Sequence, residues 1–392
     1  MTKTKTMKNF ETLAIRTQSE RSQFNEHSTP LHLTSSYVFD DAEQMRAMFS
    51  DEVEGNIYSR FSNPNTTELI DKMCLLEGAE SGWATATGMA AVFTTFAALL
   101  SSGDHVLACR SVFGSTHSVL TKLLPKWGIT HSYVDLNETE KWEEAILPNT
   151  KIIYIETPTN PAVDIIDLEW LGKLAKKYNV LLVVDNCFAT PYIQQPIKYR
   201  ADLVIHSATK YLDGQGRVLG GIIVGKQYLI DEIKLFARHS GPALSPFNAW
   251  VISKSLETLA IRMDRHSESA LKLAQWLEKN ENVELVKYPF LPSHPQYGVA
   301  KKQMKSGGGI VTFVIKGGVE KGRSFLDKLQ LISMTANLGD SRTIATHPAS
   351  TTHSKLTEEE RLETGILPGL IRVSVGLEHI DDIIDDVGQA ME

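Results

Sequence analysis

The run Val180-Leu181-Leu182-Val183-Val184, ending in Asp185-Asn186, constrains this chain most. Five successive aliphatic residues leave no polar face, so the strand they form must be covered on both sides, as central strands of parallel sheets are. A helical pattern precedes it. Leu168, Leu171, Leu174 and Tyr178 recur at spacings of three and four, with Asp167 placed to cap the start. Further apolar runs over 151–155, 203–205 and 221–224 alternate with helical patterns between residues 56 and 245, the sequence form of βαβ units. Asp185 then emerges beyond the carboxyl end of its strand, where open α/β sheets bind ligands.

The segment from Ala201 reads as a second apolar strand ending in Ser207, Thr209 and Lys210. A strand-end lysine taken alone is ordinarily solvated. Desolvated, its pKa falls and its amine can attack an aldehyde, while the two hydroxyls can hold a phosphate. A phosphorylated aldehyde suits such a site. Asp185 alone would serve equally as a helix cap or an ion-pair partner; opposite a protonated pyridine nitrogen it would keep pyridoxal phosphate an electron sink. Thr87-Gly88-Met89 opens an apolar helix from Ala90 to Leu100, whose free N–H groups and dipole suit an anion. Gly88 lets the backbone come close.

These segments occur in order with Glu11-Thr12-Leu13-Ala14-Ile15-Arg16, Tyr58-Ser59-Arg60, Ser62-Asn63-Pro64-Asn65, Glu156-Thr157-Pro158-Thr159-Asn160-Pro161, His347-Pro348-Ala349-Ser350 and Ile371-Arg372-Val373-Ser374-Val375-Gly376. Together they resemble the pyridoxal-phosphate enzymes of cysteine and methionine metabolism over nearly the whole chain. The resemblance implies an α/β fold of type I: a large domain with a mostly parallel central sheet, a smaller C-terminal α/β domain and an extended N-terminal arm. On the residues themselves, the arm is polar 1–55, the cofactor domain 56–245, and the C-terminal domain 246–392, after Gly241-Pro242-Ala243-Leu244-Ser245-Pro246 breaks the alternation. One long helix is expected from Asn248 to about Lys279, and a short one over Asp41–Phe49 in the arm.

Residue by residue, the resemblance implies that Lys210 carries pyridoxal 5'-phosphate and shuttles protons, and that Asp185 faces the ring nitrogen. Thr87, Gly88, Met89, Ser207 and Thr209 would hold the phosphate, with Tyr58 and Arg60 reaching it from a neighbouring subunit. Phe113 would stack on the ring and Asn160 would contact the ring oxygen. Arg372 would take the substrate α-carboxylate, with Asn337 as a second contact. A catalytic dimer is then the least active unit, and a homotetramer of two such dimers is expected. Most of the family carries Tyr where Phe113 stands; Phe stacks but has no phenolic proton to give. Val112-Phe113-Gly114-Ser115-Thr116, Asp213-Gly214-Gln215-Gly216-Arg217 and Thr335-Ala336-Asn337-Leu338-Gly339-Asp340 resemble the O-succinylhomoserine sulfhydrylase branch more than the γ-lyases.

The reaction this implies is replacement of the γ-acyloxy group of an O-acylhomoserine by sulfide, giving homocysteine for methionine biosynthesis. Cystathionine γ-synthase and methionine or cystathionine γ-lyase are the alternatives among enzymes, and a catalytically silent cofactor-binding protein is the alternative outside them.

Composition agrees. A net charge of −7 and the absence of basic clusters interleaved with aromatics argue against nucleic acid. Cys74, Cys109 and Cys187 are odd in number and far apart, which offers neither a disulfide framework nor a zinc pattern and suits the cytoplasm. No apolar stretch follows the basic Met1–Lys8 segment, so no secretory leader is expected, and Met89–Leu100 is too short and too rich in Thr to span a membrane. His347 and His353 lack Cys or carboxylate neighbours at ligand spacing, so no metal is expected there. Asp213 to Gly221 lacks the G-x-G-x-x-G spacing and precedes a strand, so it is no dinucleotide loop.

Overall fold

The computed structural model describes residues 8–352, 354, 357–363 and 365–392, so His353 lies outside the described residues. Among them, seven strands form one sheet: β1 (Ser81–Thr85), β2 (His105–Cys109), β3 (Thr130–Val134), β4 (Thr150–Glu156), β5 (Leu181–Asp185), β6 (Leu203–Ser207) and β7 (Gly221–Gly225). Their order is β1-β7-β6-β5-β4-β2-β3, parallel throughout except that β7 runs antiparallel to both of its neighbours. The aliphatic run sits in the middle of this sheet, with Leu182, Val183 and Val184 fully buried, as its lack of a polar face requires.

Helix Leu168–Tyr178 spans the expected residues, and the Asp167 side chain accepts from the Trp170 amide at its start. Strand β5 begins one residue later than the aliphatic run suggests. Asn179 adopts a left-handed conformation (φ 54°) and the Val180 amide folds back on the Ala175 carbonyl, so Val180 closes the helix before the strand starts.

A second sheet has the order β10-β11-β12-β9-β8, from β8 (Val283–Lys287), β9 (Ile310–Ile315), β10 (Ser333–Met334), β11 (Ile344–Thr346) and β12 (Leu370–Ser374). It is antiparallel apart from β10 with β11. Each sheet has its own apolar core, and helix Leu259–Leu277 joins them: Leu259, Ala260 and Met263 belong to the first, Ala270, Leu273 and Leu277 to the second.

The single long helix expected over 248–279 is instead two, Pro246–Leu256 and Leu259–Leu277. Buried Arg262 explains the break. Its guanidinium donates to the Ser255 carbonyl, which the break leaves open, and to the Tyr211 and Leu212 carbonyls of the large domain. No Pro or Gly marks the position in the sequence.

The arm holds the expected helix (Ala42–Phe49, capped by Asp41) and an unexpected one, Phe10–Arg16, which buries Ala14 and sets Phe10 edge-on to Tyr192. Buried Glu68 fastens the following segment, accepting from the Ser19 amide at 2.9 Å and the Thr29 hydroxyl at 2.6 Å, and pairs with fully buried Lys72 at 3.2 Å. Large apolar side chains remain exposed on the arm, Phe24 and Val38 among them. No helix among the described residues is long and apolar enough to cross a membrane.

Candidate active site

Three neighbouring parallel strands deliver the central groups at their carboxyl ends. Strand β4 ends in Glu156, β5 in Asp185 and β6 in Ser207, and the turn after β6 carries Thr209 and Lys210. Asp185 accepts from the Cys187 amide at 3.0 Å and from the Tyr154 hydroxyl at 3.4 Å. Burial raises its carboxyl pKa, against the pull of the Cys187 amide, His206 and Tyr154. Behind it, His206 Nε2 lies 2.6 Å from Glu77 Oε1, both fully buried.

The Lys210 amine donates to Asn337 Oδ1 at 2.5 Å. Burial lowers its pKa, with Arg372 adding to the effect and Cys187 opposing it. A buried amine with a lowered pKa has the chemistry that a nucleophile toward an aldehyde needs.

Arg372 comes from β12 of the second sheet and is 5% exposed. Its Nη1 donates to Asn160 Oδ1 at 2.9 Å and its Nη2 to the Asn337 carbonyl at 3.1 Å, while Nε is buried with no partner. Burial lowers its pKa to about 10. No carboxylate forms an ion pair with it among the described residues. A guanidinium so buried and only partly satisfied calls for an anion, and its fork suits a carboxylate.

The phosphate cradle is equally specific. Thr87 caps helix Gly88–Leu99 by accepting from the Ala90 amide at 3.0 Å. A Cβ on Gly88 would come within 2.7 Å of the Ser207 side chain, and one on Gly221 within 2.1 Å of the Thr87 carbonyl. Two glycines therefore let the helix start, β6 and β7 close on one another, which brings the Ser207 side chain against the first residue of the helix. Thr209 Oγ1 is itself fixed by the Gly220 amide at 3.2 Å. The donor set, the cradle and the amine together fit pyridoxal phosphate.

Phe113 precedes the short helix Gly114–Ser118, its amide donating to Glu156 Oε2 at 2.9 Å, and the residue is 44% exposed, which leaves it open to a stacking partner. Met89 opens the phosphate helix beside Thr116.

Lys210, Asp185, Ser207, Thr209, Thr87, Gly88, Met89, Phe113, Asn160, Asn337 and Arg372 thus converge on the carboxyl edge of the large sheet and the facing edge of the small one. Tyr58 and Arg60 do not join them within one chain. Arg60 donates to the Arg238 carbonyl and lies over the Tyr58 and Phe61 rings, and Tyr58 bridges to Ser36 of the arm. Sequence reasoning gave no role to Tyr154 or Glu156. Their signal was position: Glu156 ends an apolar strand as Asp185 does. His347 is occupied structurally, 2.7 Å from both Ser350 Oγ and the Pro368 carbonyl.

The profile of the Cys/Met metabolism PLP-dependent enzyme family matches residues 11–392. The O-succinylhomoserine sulfhydrylase of Pseudomonas aeruginosa is 47% identical over 382 residues, covering 97% of this chain and 95% of that protein. An L-methionine gamma-lyase of Fusobacterium nucleatum is 42% identical over 384 residues, 97% of each chain. Among solved structures, a putative O-acetylhomoserine (thiol)-lyase of Campylobacter jejuni, determined with N'-pyridoxyl-lysine-5'-monophosphate, superposes with a TM-score of 0.94 at 35% identity, covering 98% of this chain and all of that one.

Proposed function

The chain belongs to the Cys/Met metabolism PLP-dependent enzyme family, and from that premise we propose that it converts O-succinylhomoserine and sulfide into homocysteine and succinate. The Cγ–O bond to the acyl group breaks, a Cγ–S bond forms, and sulfide gives up a proton.

Pyridoxal phosphate, when bound, supplies an electron sink for the negative charge left on Cα once its proton is removed. Lys210 is the residue that would carry the cofactor. Its amine, next to the Asn337 side-chain oxygen, would take the Cα proton and move it among the reacting carbons. Asp185, with Tyr154 and the Cys187 amide fixing its two oxygens, would face the ring nitrogen. Gly88, Met89, Ser207, Thr209 and the Thr87-capped helix start would hold the phosphate, joined by Tyr58 and Arg60 of a second subunit. Phe113 would stack on the ring and keep water from it, and Asn160, which accepts from Arg372, would contact the ring oxygen.

The observation that carries the amino-acid reading is Arg372, buried beside Asn337 without an ion-pair partner among the described residues. It orients an α-carboxylate so that Cα faces the Lys210 amine. Phe113 favours replacement over elimination, because no phenolic proton is offered at the ring face. The unpaired cysteines suit a cytoplasmic enzyme, and the exposed apolar side chains of the arm suit a tetramer of two catalytic dimers.

One set of assays tests the reading. The succinyl and acetyl esters of homoserine are each offered with sulfide or cysteine, beside methionine and cystathionine alone. Fastest turnover of the succinyl ester with sulfide supports the proposal, and preference for cysteine would make the enzyme a cystathionine γ-synthase.

A further inference from the structure

Glu156 has no part in the chemistry above, yet its place is unusual. It ends β4 directly beside Asp185 in the parallel register and is 5% exposed. Its Oε2 accepts the Phe113 amide at 2.9 Å, across 43 residues of chain. Four residues further on, past Pro158, Asn160 holds Arg372. One side chain thus links the segment bearing the exposed aromatic ring to the strand from which the Asn160 loop leaves.

Two adjacent buried carboxyls do not both ionise without large cost. Asp185 has the Cys187 amide, His206 and Tyr154 to stabilise its charge. Burial and the neighbouring Asp185 push Glu156 well above the usual carboxyl range, against the pull of the Phe113 and Asn160 amides and of Arg372. Burial raises both carboxyls, and the groups around them favour charge on Asp185 over charge on Glu156.

We propose that Glu156 is a positioning residue, which fixes the Phe113 backbone and thereby the angle at which the Phe113 ring meets the cofactor. The inference rests on the reading that Phe113 faces bound pyridoxal phosphate. Phe113 is only half covered by its own chain, so packing there holds it only in part, and the grip on its amide fixes the backbone from which the ring projects.

The test uses the holoenzyme and its Glu156→Gln and Glu156→Ala variants. Two properties are read: the dissociation constant of pyridoxal phosphate, and the visible circular dichroism of the bound cofactor, which reports how asymmetrically its ring is held. Gln keeps an uncharged acceptor at the same reach, so both properties should stay within about twofold of native, whereas Ala leaves the Phe113 amide unsatisfied and should weaken cofactor binding by about tenfold and reduce the dichroism. An Ala variant with native affinity and dichroism, or a Gln variant as impaired as Ala, overturns the proposal. Because Glu156 acts through Phe113, the Ala effect should shrink in a Phe113→Leu background, and full additivity of the two also overturns it. Should Glu156→Ala not fold, Glu156→Asp withdraws the oxygen by one methylene and should fall between Gln and loss of signal; a native-like Asp variant counts against the proposal. Borohydride fixation of the cofactor separates this idea from its premise. No fixation on Lys210 of the native protein defeats the cofactor reading, while normal fixation with unchanged dichroism in the Ala variant defeats only the role of Glu156.

Discussion

The Lys210 amine lies 2.5 Å from the side-chain oxygen of Asn337, whose own carbonyl accepts from Arg372 at 3.1 Å. One residue of the small domain's sheet region therefore touches both the amine that would hold the cofactor and the guanidinium that would hold the substrate. Asn337 couples the two sites.

Asn337→Asp places a carboxylate where the neutral oxygen stands and should raise the Lys210 pKa, which burial now lowers. Only the unprotonated amine captures the cofactor, so the rate at which apoprotein gains visible absorbance rises with pH through the lysine pKa. For the native protein that rise should come below the ordinary lysine range, and for Asn337→Asp about one unit higher. Overlapping profiles would show that Asn337 does not govern the amine.

Arg60 makes its contacts within the chain to Arg238, Tyr58 and Phe61, none of them to the Lys210 group. If it serves the partner's cofactor, Arg60→Ala and Lys210→Ala proteins, each inactive, should complement on mixing. A mixed dimer has one site with both residues intact, so partial activity returns. Proven subunit exchange without recovered activity would place Arg60 outside the site.

Phe113→Tyr restores a phenol at the ring face and should raise the release of 2-oxobutanoate relative to homocysteine. General acid catalysis bounds the gain at about a hundredfold or more. The ratio of the two products, measured with and without sulfide, checks this, and an unchanged ratio would remove Phe113 from the choice between replacement and elimination.

Glu68 and Lys72 form a buried pair that also secures the arm through Ser19 and Thr29. Glu68→Gln should leave the buried ammonium only the more distant Glu257 carboxylate, at 3.7 Å, and cost up to about 3–5 kcal/mol in denaturant unfolding, whereas replacing both Glu68 and Lys72 with Leu and Met should cost far less. Equal losses in the single and double variants would mean that the charges are not coupled.

The large sheet was readable because β5 and the Leu168–Tyr178 helix obey simple periodicities: an unbroken aliphatic run and a 3.6-residue stripe behind an Asp cap. The ends of β5 and β6 likewise announced Asp185 and Lys210 through the rule that ligands meet the carboxyl edge of a parallel sheet. The break at Glu257–Thr258 was not readable, since it depends on Arg262 reaching carbonyls 51 and 50 residues away, at Tyr211 and Leu212. The Phe10–Arg16 helix is shorter than two full periods of an amphipathic stripe and owes its place to Tyr192. Glu156 and Tyr154 were hidden for a related reason: their roles lie in contacts with Phe113 and Asp185, which no local pattern encodes.

The most direct measurement is borohydride reduction of the holoenzyme followed by peptide mapping. A single pyridoxyl group on Lys210, absent together with the visible absorbance in Lys210→Ala, is the result expected of a buried amine at the end of β6 facing the Gly88 cradle. Recovery of the group on any other lysine, or a native protein that takes up no cofactor, would contradict the account.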